Sequence, residues 1–163
     1  MKTTDDYVLF WGDEDIYSNF YPCEFTLNDH KYHWSEQAFM YLKAITFSDV
    51  EIAKEISEMH PDKNTPLQCK KLGRKIKNFN DMIWNNLSSE VMYNACYAKF
   101  SQNKLLSDQL LNTGNRIIVE ASPYDKIWGI GLSETDPDAL DKTKWKGQNL
   151  LGEVLMRVRS NLR

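Results

Sequence analysis

Residues 23–44 read CEFTLNDHKYHWSEQAFMYLKA and carry turn, cap and helix signals in one run. Residues 23–27 and 30–34 form two strand-like runs around Asn28-Asp29, which is the signature of a hairpin. Ser35 follows as a predicted N-cap, with Glu36 in the first turn, where a negative charge suits the helix dipole. Residues 36–44 are good helix formers without Gly or Pro, and Phe39, Met40 and Leu42 leave little polar face. A hairpin feeding a mostly buried helix is therefore expected at this point.

Beyond this stretch the pattern stays helical. Residues 48–59 predict an amphipathic helix with Val50, Ile52, Ala53 and Ile56 inward, ended by Pro61. Thr65-Pro66 reads as an N-cap with Pro at the first helical position. The helix after it carries Lys70, Lys71, Arg74, Lys75 and Lys77. Asn80-Asp81 caps a long helix over about residues 82–100, with Ile83, Leu87, Val91, Ala95 and Ala98 on one stripe. Residues 105–111 form another helix, closed by Gly114. Residues 149 onward form a closing helix with Leu151, Val154, Leu155 and Val158 inward and Arg157, Arg159 and Arg163 outward. Strands are expected at residues 7–11, at 117–120 and, with two glycines, at 127–132. Residues 133–145 read as a polar, acidic loop. This order predicts an α+β fold, a single domain over residues 1–163 that is mainly helical with short strands.

Composition narrows the function. The chain has 163 residues, 42% of them hydrophobic, which is enough for one sizeable core. Its formal charge of −3 makes it a poor non-specific binder of nucleic acid or of an anionic membrane. Contact with nucleic acid would need a local basic patch and a shaped pocket. No apolar run is long enough to span a bilayer. The opening residues MKTTDD carry no apolar signal region. Three widely spaced cysteines, Cys23, Cys69 and Cys96, argue against a disulfide framework or a zinc site, so a reducing cytoplasm is expected.

Few residues advertise chemistry. His30, His33 and His60 lack metal-ligand spacing, and no metal or cofactor is expected. Glu36 and Lys43 are two helical turns apart and lie on nearly one face of a largely apolar helix. A carboxylate and an amine beside an apolar wall suit acid–base or nucleophilic work, although charged helix faces are ordinarily solvated. Trp84 offers a stacking surface for a flat ring if it is not simply core. Lys70, Arg74 and Lys77 share a helical face suited to a phosphate, with Arg74 as its bidentate member. Asp125 and Trp128-Gly129 fall beside glycines that permit close backbone approach.

In combination these blocks resemble one family. Ser18-Asn19-Phe20 precedes Trp34-Ser35-Glu36-Gln37-Ala38-Phe39 with Lys43. Gly73-Arg74, Trp84, Met92 and Ala98-Lys99-Phe100 follow, then Asp125, Trp128-Gly129-Ile130-Gly131 and Gly147-Gln148-Asn149-Leu150-Leu151-Gly152. Over residues 8–162 this order is similar to the NADAR, or YbiA-like, family. The resemblance implies an N-glycosidase with Glu36, Lys43 and Asp125 as catalytic residues. It implies substrate contacts from Ser18, Asn19, Phe20, Arg74, Trp84, Trp128 and Gly129. It also implies one of two substrates: ADP-ribosylated guanine in nucleic acid, or small N-ribosylated intermediates of early riboflavin synthesis. The long 132–146 segment and the basic residues 70–77 favour the first. A non-catalytic ADP-ribose-binding module would not need both Glu36 and Lys43. Both substrates join a sugar C1 to an exocyclic amine, and such a bond can open through an imine. Lys43 could then exchange onto C1 as a Schiff base with Glu36 moving the proton. Direct hydrolysis with Glu36 or Asp125 activating water is the competing scheme.

Overall fold

The computed structural model describes residues Met1–Arg163, with elements in the order β1 (Lys2–Thr3), β2 (Tyr7–Phe10), β3 (Phe25–Leu27), β4 (His30–Tyr32), α1 (Ser35–Thr46), α2 (Val50–Glu58), α3 (Thr65–Gly73), α4 (Asp81–Ser101), α5 (Lys104–Asn112), β5 (Ile117–Glu120) and α6 (Leu150–Leu162). Two units form, residues 1–18 with 103–163, and residues 19–102. The fold is α+β and mainly helical, as expected. No helix is long and apolar enough to cross a membrane.

In the unit made of both chain ends, β1, β2 and β5 build a three-stranded sheet. β1 pairs antiparallel with β2, and β2 runs parallel to β5, with Val8 opposite Ile118. Leu9, Val119, Ala121, Ile130, Leu132 and Ala139 form a core with Tyr7, Ile117 and Trp145 against it. Residues 127–132 are not the expected strand. No strand ladder forms: the Ile130 N–H donates to the Glu120 carbonyl at the end of β5, and the Gly131 N–H to that of Asp125 in the loop after it. The acidic 133–145 segment contains two short 3-10 turns, capped by the side chains of Asp136 and Asp141.

α6 buries Leu151, Val154, Leu155 and Val158 as its 3.6-residue stripe dictates. Arg159 is buried as well, against the expectation that it points outward. Its guanidinium donates to Thr113 Oγ1 at 2.7 Å and to the Arg116 carbonyl at 2.8 Å. Charge alone places an arginine outside, but a fork of donors also serves interior carbonyls.

Before α6 stands Asn149, at φ 56. Its Oδ1 accepts from the Glu120 N–H at 3.0 Å, and its Nδ2 donates to the Ile118 carbonyl at 2.9 Å. One amide side chain therefore completes β5 where no further strand pairs. A Cβ on Gly152 would collide with that same Ile118 carbonyl, so α6 approaches the strand only as glycine there. Asn149→Ala is expected to destabilise the protein by about 2–4 kcal/mol, from two lost bonds to buried backbone and a left-handed residue that alanine tolerates poorly. Urea unfolding checks this; a loss below about 0.5 kcal/mol would show that water replaces the amide.

In the second unit the hairpin forms as read, with Leu27 opposite His30 and both Asn28 and Asp29 at positive φ. Phe25, Tyr32, Ala38, Ala95 and Ala98 share one core; Ala44, Phe47, Ala53 and Ile76 share another. Ser35 is not the N-cap of α1. Trp34 takes that position, and Ser35 is the first helical residue. The Ser35 hydroxyl donates instead to Asn19 Oδ1 at 2.9 Å, while the Glu36 N–H donates to the Asn19 carbonyl at 3.1 Å. A residue sixteen positions upstream thus serves the helix start, which local capping rules do not reveal.

Four other expectations in this unit are corrected. Val50 is exposed, because Asp49 caps α2 and leaves Val50 on the outer side of its first turn. Asn64, not Thr65, holds the N-cap position of α3, with Pro66 in the first turn. α3 ends at Gly73, so Lys75 and Lys77 lie beyond it, and Lys77 does not share a face with Lys70 and Arg74; its Nζ pairs with Glu51 at 2.7 Å. Ile83 and Leu87 are exposed at the start of α4, and its buried stripe begins with Ser88 and Met92.

Candidate active site

The site begins at α1, whose start is tied down by Asn19. Glu36, in its first turn, is only 6% exposed. Its charge reaches α3, where burial chiefly, and Glu36 in addition, push the Cys69 thiol up to about 12. Lys43 lies two turns on, a rise of about 10.5 Å along the helix. Its Nζ donates to the Gly73 carbonyl at 3.0 Å, at the last residue of α3. A Cβ on Gly73 would strike Met40 of α1, so glycine lets that carbonyl come close.

Aromatic rings complete the lysine's surroundings. Nζ lies 4.5 Å from the Phe79 centroid and 5.6 Å from that of Trp84. Trp84 is half-buried on α4 and packs on Phe39 and Phe47, with centroids 5.2 Å and 6.2 Å away. It is thus neither pure core nor a free platform. Burial draws the Lys43 ammonium below the ordinary lysine value. Glu36 and Asp81 oppose this by stabilising the charge, and Arg74 adds to it by repulsion. Among the expected residues, Glu36, Lys43, Arg74 and Trp84 therefore come together. Phe79 and Asp81 join them unannounced, since neither stands in a motif.

A second lysine also escaped notice as a titrating group. Lys99 is 1% exposed, and burial lowers it to about 8. Its Nζ sits 5.4 Å from the Tyr21 ring and 5.2 Å from that of Phe100. Phe20 is half-buried, with Lys70 Nζ 6.0 Å from its ring.

The other unit holds Ser18, Asp125, Trp128 and Gly129. The Ser18 N–H donates to the Asp15 carbonyl at 2.9 Å. Asp125 Oδ1 accepts from the Ile127 and Trp128 N–H groups at 2.9 and 2.8 Å. Its own N–H donates to Ser122 Oγ at 3.2 Å. Asp125 is thus the staple of this loop, and Gly129 sits where a Cβ would meet the Asp125 and Glu120 carbonyls at 2.9 Å. No three His, Cys, Asp or Glu side chains are arranged to hold a metal ion.

Glu36, Lys43 and Trp84 thus bring a buried carboxylate, a partly desolvated amine and an indole face into one unit. The chain matches the NADAR domain model over residues 9–163 and belongs to that family. It is 41% identical to the N-glycosidase R617 of Acanthamoeba polyphaga mimivirus, over 96% of each chain. It is also 41% identical to the protein irg-1 of Caenorhabditis elegans, over 98% of this chain and 81% of that one. The chloroplastic riboflavin biosynthesis protein PYRR of Zea mays is 29% identical over 93% of this chain, which spans 24% of that protein. The NMR structure of the E. coli protein YbiA superposes with a TM-score of 0.77 at 26% identity, covering 99% of this chain and 87% of that one.

Proposed function

We propose that this chain is an N-glycosidase that cleaves the bond between a ribosyl C1 and an exocyclic base amine, with ADP-ribosylated guanine in nucleic acid as its substrate. The observation that carries the reading is Lys43: a half-buried amine drawn below the usual lysine value, held between a carbonyl and two aromatic rings on the helix that carries buried Glu36. The relatives named N-glycosidases support the reaction class.

The steps follow from these groups. The base nitrogen's lone pair opens the C1–O4′ bond as the ring oxygen takes a proton from solvent, giving an iminium at C1. The neutral Lys43 amine adds to C1, the Glu36 carboxylate takes the proton that the Lys43 nitrogen then carries and passes it to the base nitrogen, and the C1–N bond to the base breaks to leave a protonated Lys43 Schiff base. Water adds to C1 as Glu36 takes one of its protons, the carbinolamine collapses with its hydroxyl proton moving to the Lys43 nitrogen, and the free sugar departs while Glu36 returns its proton to solvent. Trp84 stacks the base. Arg74, exposed at the end of α3, meets a phosphate. In the other unit, Asp125 keeps the Trp128-Gly129 loop in shape.

The nucleic-acid substrate rests on the exposed Lys71, Arg74 and Lys75 beside half-buried Lys70. The test offers the protein a guanine-ADP-ribosylated oligonucleotide and the early riboflavin intermediates in parallel. Release of ADP-ribose from the first alone supports the reading. Release of sugar phosphate from the second alone moves the chain to the riboflavin class, and binding without release makes it a binding module.

Trp84→Ala is expected to weaken substrate binding by about 1–3 kcal/mol. Because the indole is only half-buried, the fold should lose less than the 3–5 kcal/mol typical of a core tryptophan. A thermal melt and a binding titration on one preparation separate the two; unchanged binding with a full core-sized loss would make Trp84 core alone.

A further inference from the structure

Phe79 belongs to no motif, yet its ring is the nearest aromatic face to the reacting amine. It stands in the turn between α3 and α4, after Asn78 at φ 58 and before the N-cap Asn80. The ring is held edge-on by Phe47, with centroids 5.1 Å apart at 64°. It stays 41% exposed, so burial of its own surface does not account for its position. Lys43 Nζ lies 4.5 Å from its centroid, closer than to Trp84.

We propose that Phe79 is a positioning residue for the glycosidase reaction, its ring forming with Trp84 an aromatic cover that keeps water off Lys43 Nζ and holds the amine against the Gly73 carbonyl. This rests on the assignment of Lys43 to the chemistry. The ring does two opposed things. As an apolar cover it disfavours the ammonium; as a π face it favours it. The charged groups around Nζ are Glu36 on α1, Asp81 on α4 and Arg74 after α3, and burial is the largest of the influences on it. The Phe79 ring, 4.5 Å from Nζ, is part of that burial.

The two contributions separate by substitution. Phe79→Leu keeps an apolar cover and loses the π face, so the amine should titrate at or below its wild-type position. Phe79→Ala admits water and should move the amine upward by about one pH unit, a fraction of the shift a fully buried lysine shows. Phe79→Trp keeps both and should behave as wild type. The Lys43 titration is read by NMR on protein reductively methylated with 13C-formaldehyde, with Lys43→Arg assigning the resonance. The same variants are run as pH profiles of kcat/KM on the ADP-ribosylated oligonucleotide.

An upward movement in Phe79→Ala that is absent in Phe79→Leu and Phe79→Trp supports the proposal in both readouts. An unmoved Lys43 resonance in Phe79→Ala overturns it, as does an equal rise in Phe79→Leu. If the resonance moves as expected while the kcat/KM profile does not, the cover stands and the nucleophilic role of Lys43 falls. The variants should fold, because the ring they alter is 41% exposed and stands in a turn outside the helices.

Discussion

Lys43→Arg is expected to lower turnover by a factor of at least about 10⁴, with the melting temperature nearly unchanged. Arginine keeps the positive charge, can still donate to the Gly73 carbonyl and can still lie on the Phe79 and Trp84 rings. What it cannot do is lose its proton and add to C1. In the wild type, burial draws the lysine below its ordinary value, so the neutral amine becomes available at lower pH than for a surface lysine. The sign follows: the rate should rise as pH rises through the Lys43 pKa, since deprotonation exposes the lone pair. Borohydride added during turnover should leave the sugar on Lys43. Lys99 is the internal control, because it too has a lowered pKa, yet at 1% exposure its amine is sealed among Tyr21 and Phe100. An adduct on Lys99, or near-normal rates in Lys43→Arg, would replace the Schiff-base scheme with direct hydrolysis in which Lys43 supplies charge alone.

The parts of the fold legible in the chain were those governed by local rules. The Asn28-Asp29 hairpin, the Asn80 cap of α4, the glycine-closed α5 and the inner stripe of α6 depend on residues a few positions apart. Failures came where a distant partner overrides a local preference. Ser35 reads as a cap, but Asn19 already serves the start of α1. Residues 127–132 read as a strand, but Glu120 and Asp125 draw their amides into a loop. Arg159 reads as surface, but interior acceptors claim its donors.

The site shows the same division. Glu36 and Lys43 are legible because helical spacing puts them on one face, and Trp84 because an indole is a natural platform. The meaning of the glycine-rich closing block was not legible as chemistry. Asn149 and Gly152 complete and admit the packing around β5, so part of the signature that marks the family is structural. Phe79 was invisible and Asp81 was legible only as part of a helix cap, since their relation to Lys43 depends on where the turn after α3 carries the chain.

Glu36→Gln isolates the proton carrier. The substitution preserves shape, and the bond from the backbone N–H of residue 36 to the Asn19 carbonyl is untouched, so α1 should start as before. Turnover should fall by about 10² to 10⁴, the usual loss when a positioned proton-transfer group is removed. A second effect runs the other way and makes the result decisive. The Glu36 charge stabilises the Lys43 ammonium, so removing it lowers the lysine pKa further and increases the neutral amine at pH 7. If Glu36 only tuned Lys43, Glu36→Gln would shift the rising limb of the pH profile to lower pH and leave the plateau intact, with a faster enzyme at neutral pH. If Glu36 moves protons, the limb shifts the same way but the plateau collapses. A lowered plateau with a left-shifted limb is the expected outcome, read from kcat across pH on the ADP-ribosylated oligonucleotide. A plateau equal to wild type would take the proton-transfer role away from Glu36, because nothing else in the substitution slows the reaction.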